Sequence, residues 1–178
     1  MQPPRSAKRV KNLCIDPIGH DMVHFRSSLE DYSESTDGTE VIHSLAIDGT
    51  ISLPDLTIRS IEPHSYHQPY RECEASLEPV RKLVGLTISP GFRTRVQSLI
   101  GGTAGCTHFL SLALDLATVH TLALFLRIRA ESTSGDDGLK DAAWMRIGLS
   151  LEPRLENACI ALTSDSSLVK KAKRKLDT

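Results

Sequence analysis

Hydrophobic and polar positions alternate first between Asp21 and Asp31. Val23, Phe25, Ser27 and Leu29 take one face, and His24, Arg26 and Ser28 the other, the period-two pattern of a half-buried strand. The clearest strand signal follows a polar loop at Ser33–Gly38. Val41, His43, Leu45 and Ile47 share one face there, against Ile42, Ser44 and Ala46 on the other. Asp48-Gly49 reads as a hairpin turn, with Thr50–Leu53 running back. Pro54-Asp55 then breaks the ladder and Leu56–Ile61 resumes it. These segments predict a small antiparallel sheet over about residues 21–61. Glu62–Glu72 has no apolar repeat, and its prolines, histidines and tyrosines predict an ordered loop leading to Cys73.

Beyond Cys73 the period changes. Leu77, Val80, Leu83 and Val84 mark one face of a short helix over Ala75–Val84, with Pro79 accommodated in its first turn. Ser89-Pro90 is a helix start, and Phe92, Val96, Leu99 and Ile100 form a buried face. The glycines at 101, 102 and 105 separate this helix from a long one over Thr107–Arg129 that is apolar nearly all round. Ser132–Gly138 reads as a surface loop. Two more helices, Leu139–Leu151 and Leu155–Leu162, are expected on either side of Pro153, with Trp144 as their anchor. The fold class predicted is therefore α+β: a small antiparallel sheet packed against helices, with a long apolar helix after the Gly-Gly…Cys-Thr-His stretch.

Composition refines this reading in a few places. Among 178 residues, 40% are hydrophobic and only 4% aromatic, so the core must rest on Leu, Ile, Val and Ala. Residues 1–18, with three prolines and several basic residues, read as a flexible lead-in; 19–164 as one α+β domain; 165–178 as a charged tail. A net charge of −1 gives no global basic field, so no nucleic-acid partner is expected. The basic start passes into Leu13-Cys14-Ile15-Asp16-Pro17 without the apolar core of a signal peptide. Asp115 and His120 interrupt the long apolar run, which reads as a core helix rather than a membrane span. Four widely spaced cysteines suggest reduced thiols and a cytoplasmic setting. The apolar helix 107–129 also offers a surface for a protein partner or a homodimer.

Candidate chemistry concentrates at Cys106 and His108. Thr107 is a suitable N-cap, and a helix start favours a thiolate. Residues two apart on a continuous helix diverge by about 200°, so Cys106 and His108 converge only if Cys106 still belongs to the loop. Three readings stand. In the first, Cys73, Cys106 and His108 bind a metal, with His43 as the leading fourth ligand and His67 or Asp48 as others. Thiolates and imidazoles suit zinc or an iron–sulfur cluster. In the second, Cys106 is the nucleophile of a small hydrolase or transferase and His108 its base. In the third, the chain is a structural or assembly subunit without a site. Gly101-Gly102 has no following lysine to complete a phosphate-binding loop.

Leu83–Phe92 followed by Leu99–Leu110, with its glycine pair and the run Gly105-Cys106-Thr107-His108, resembles the bacterial family known as domain of unknown function 2889. His43 opening a strand, Asp48-Gly49 and Pro69-Tyr70-Arg71-Glu72-Cys73 belong to the same resemblance, which runs from about Asp21 to Ala130. Thr50–Asp55 departs from it as a small insertion. The family implies no established activity. A looser, fold-level similarity is to the U-type iron–sulfur scaffold and zinc-bound sulfur-acceptor proteins. There Cys73 and Cys106 would stand at two ligand positions, with His108 supplying the imidazole. That similarity implies a scaffold or accessory protein of bacterial metabolism. The order Cys-Thr-His departs from its His-Cys, Ala75 replaces its acidic ligand, and its middle cysteine has no counterpart.

Overall fold

The computed structural model describes residues 5–53, 55–131 and 142–174. Pro54 and the expected loop at Ser132–Gly138 lie outside them. The sheet is larger than the pattern predicted. Four antiparallel strands, β1 (Ser6–Ile18), β2 (Met22–Ser35), β3 (Gly38–Ser52) and β4 (Thr57–His67), follow one another in the order β1-β2-β3-β4. With the helices that follow, the fold is α+β.

Three expectations change here. The lead-in is largely β1, an edge strand whose residues pair with β2 from Ser6↔Glu34 to Ile18↔Met22. Its Lys and Arg residues and its Pro17 conceal a strand from a hydrophobicity reading, and they are the residues that keep an exposed edge from recruiting another chain. Asp48-Gly49 is no turn: it lies inside β3, and the chain reverses between Ser52 and Thr57 instead. Gly49 sits between Phe25 of β2 and Ile61 of β4, and the Phe25 ring lies across it. A Cβ added there would meet the Ser60 carbonyl oxygen and lie 2.7 Å from Phe25 Cζ. Close approach, not a turn, requires this glycine. Finally, the expected loop at Glu62–Glu72 is β4 as far as His67, with Pro63 tolerated on an edge strand.

The chain divides into two compact units, Met1–His120 and Thr121–Thr178, where the sequence grouped 19–164 together. In the first unit one sheet face carries the core. Val23, Phe25, Leu29, Leu45, Ile47, Ile51 and Ile58 are buried there against Val80, Leu83, Phe92, Val96, Ile100, Phe109, Leu112 and Leu116. These come from α1 (Leu77–Arg81) and its flank, α2 (Phe92–Ile100), α3 (Thr107–Asp115) and the turn after it, and α3 lies on β2 and β3. The buried hydroxyl of Ser27 is satisfied by donating to the Leu112 carbonyl at 3.4 Å. A 3-10 turn joins α3 to α4 (Val119–Glu131). By length and composition Thr107–Glu131 suffices to cross a membrane, yet Phe109, Leu112, Ala113 and Leu116 are core residues.

In the second unit, α5 (Ala142–Leu151) packs with α6 (Ser167–Arg174) through Leu149, Val169 and Ala172. Trp144, the expected anchor, is only half-buried. The helix expected at Leu155–Leu162 is replaced by 3-10 turns at Pro153–Leu155 and Ile160–Leu162 around Asn157, whose φ is 64°. The Asn157 side-chain oxygen accepts from the Ser164 N–H, a local bond that competes with helix.

Candidate functional site

The glycine stretch is shaped by its own backbone. A Cβ on Gly105 would stand 2.5 Å from the Ile100 carbonyl oxygen, so only glycine lets the chain turn back so tightly from the end of α2. The stretch delivers Cys106 in extended conformation (φ −119°, ψ 135°) as the N-cap of α3, one residue before the expected Thr107. Cys106 is therefore still loop and His108 already helix, the condition under which the two converge. Cys106 Sγ lies 3.3 Å from His108 Nδ1.

The other nitrogen of His108 points to the sheet. Its Nε2 is 3.3 Å from Asp31 Oδ2, and His43 Nδ1 is 3.1 Å from the same oxygen. The two imidazole centroids are 4.0 Å apart. Asp31 and His43 face each other across the β2–β3 ladder, beside a bulge at Asp31/Tyr32. Arg9, opposite Asp31 on β1, holds the carboxylate from behind: Nε donates to Oδ1 at 2.6 Å and Nη2 to Oδ2 at 2.8 Å. Next along β1, Lys11 ties α3 to the sheet by donating to Ser111 Oγ at 2.8 Å and pairing with Asp115. The Asp31, His43 and His108 side chains are 14%, 18% and 17% exposed, sheltered but reachable by an ion.

Among the described residues, one group has metal-capable atoms all within 4.8 Å of one another: Asp31, His43 and His108. Of the residues marked out in the sequence, His43, Cys106 and His108 are thus brought together. Cys73 stands outside the group, in a 3-10 turn at Arg71–Ser76 where its carbonyl accepts from Ser76 Oγ. His67 ends β4, exposed. Asp48 is engaged by Arg26 and His64. Asp31 and Arg9 were missed. The signal for Asp31 was its parity: it continues the inward set Val23, Phe25, Ser27, Leu29, where a carboxylate needs a partner. Arg9 lay in the segment read as lead-in.

Asp31 and His108 both titrate below their ordinary values. The Arg9 hydrogen bonds hold the Asp31 carboxyl below its usual range, against the opposing effect of burial. Burial, and then the charges of His43 and Arg9, lower His108, against the pull of Asp31. In both cases the folded chain binds fewer protons than the unfolded chain between the two pKa values, so stability rises with pH there. The His108 contribution is expected to weaken stability as pH falls below about 6.5, and that of Asp31 below about 3.9. In chelator-treated protein the urea midpoint should fall through the first window, and His108→Gln should flatten that fall. A midpoint that rises on acidification there would contradict this assignment.

Fold and site together define an α+β protein with a carboxylate–imidazole centre at the head of an apolar helix, a thiol beside it. The chain belongs to the family described as Protein of unknown function (DUF2889), whose model matches residues 12–122 and so spans all of the site except Arg9. No curated protein and no solved structure matches.

Proposed function

We propose that this protein binds a divalent metal ion of the zinc class through Asp31 Oδ2, His43 Nδ1 and His108 Nε2. The convergence of both imidazoles on one carboxylate oxygen carries this reading. With bonds of about 2.0 Å, the ligand atoms of a tetrahedral zinc site stand about 3.3 Å apart, and the two distances to Oδ2 are 3.1 and 3.3 Å. Arg9 then acts as the outer partner that orients the ligating carboxylate. Two imidazoles and a carboxylate suit zinc better than an iron–sulfur cluster, which wants several thiolates. A metal-binding accessory protein or a metal-dependent enzyme both fit this donor set.

The Cys106–His108 contact favours a second reading, in which His108 draws the thiol proton, Asp31 orients the ring, and Cys106 attacks an electrophile. His43 has no part in that scheme, which is why it ranks second. One experiment separates them: chelator-treated protein is titrated with zinc, and its alkylation by iodoacetamide is followed below neutral pH. About one zinc per chain, with uptake lost in His43→Ala, is expected. No uptake, together with alkylation at Cys106 far faster than an ordinary thiol of pKa about 8.5, would replace the metal reading with the cysteine one.

A further inference from the structure

Resting on that metal reading, we infer that Cys106 is not a ligand but the outer partner that positions His108, and that the fourth coordination position is open to an anionic oxygen ligand. The geometry of one ring decides both points. His108 turns Nε2 toward Asp31 and His43, and Nδ1 toward Cys106. The two imidazole nitrogens are distinct, and their lone pairs diverge across the ring. An ion on Nε2 therefore lies on the far side of the ring from a sulfur 3.3 Å from Nδ1. A zinc–thiolate bond spans about 2.3 Å, which that sulfur cannot reach while the contact with Nδ1 stands. The same sulfur does what outer partners of ligating histidines do: it occupies the second nitrogen, and so fixes the ring's tautomer and orientation.

Among the described residues, three protein ligands then converge, the number typical of catalytic rather than structural zinc sites. The fourth position is left for water or a small ligand. Its charge selects the class. Asp31 is the only anion among the three ligands and is already paired with Arg9, so a divalent ion leaves the centre strongly positive. A carboxylate or phosphate oxygen is the favoured occupant.

Cobalt(II) substitution tests this in the full chain, with acetate and phosphate as probes. The expected spectrum has ligand-field bands without a thiolate-to-cobalt charge-transfer band. Those bands should shift when acetate or phosphate is added. Cys106→Ser should still take up cobalt, and Cys106→Ala should bind it about 10- to 100-fold more weakly. A thiolate charge-transfer band, or a spectrum indifferent to both anions, overturns the inference while leaving metal binding intact. Absence of any ligand-field spectrum in folded wild-type protein instead overturns the metal reading on which it rests.

Discussion

Asp31→Ala is expected to be the most damaging single change at the centre, in two separable ways. Without metal it should lower the folding free energy by about 2 kcal/mol, within the range for hydrogen bonds to a charged group. Arg9, His43 and His108 all lose their shared acceptor at once. The loss is not larger because the Arg9 side chain is 48% exposed and water can solvate it. With metal, zinc affinity should fall by more than about 100-fold, beyond what removing an outer partner costs. Arg9→Ala, which leaves the ligand but not its support, should fall within about 10- to 100-fold. Urea unfolding with chelator present and zinc competition titrations measure the two effects independently. Equal zinc affinity in Asp31→Ala and wild type would remove Asp31 from the ligand set.

The second large effect is far from the centre. Gly49→Ala should destabilise the first unit by about 3 kcal/mol, the upper part of the range for overpacking. The added methyl meets the Ser60 carbonyl of the neighbouring strand and the Phe25 ring, and the strand backbone cannot yield as a flexible side chain would. Thr50→Ala, one residue on, exchanges a surface hydrogen bond with Ser60 and serves as the mild comparison. A Gly49→Ala protein within about 1 kcal/mol of wild type would show that Phe25 repacks, and that the glycine is not held by this contact.

Both predictions rest on features that the chain shows to different degrees when read linearly. The alternation of Val23, Phe25, Ser27 and Leu29 placed β2 correctly, because period-two burial is written in consecutive residues. Phe92, Val96 and Ile100 likewise marked the buried face of α2. Cys106 and His108 were recognisable as a pair because their convergence depends only on where α3 begins. β1 was hidden because an edge strand need bury little. Asp48-Gly49 misled because the dipeptide that suits a turn also suits a close crossing of strands, and the Phe25 ring that decides the matter lies 24 positions earlier.

The sequence by itself therefore determined the fold class, the apolar helix after the glycine stretch, and the placing of a thiol and an imidazole at its start. These follow from local periodicity and from the backbone freedom of a few glycines. Only the tertiary structure decided what faces that imidazole. Asp31 and His43 meet it through strand register, and Arg9 closes the site from β1, so the four side chains come from three strands and a helix. Register is set by the burial of a whole sheet face, which no short stretch of chain encodes. For the same reason Cys73, prominent in the sequence, stands outside the group, while Asp31, unremarked among other acidic residues, stands at its middle.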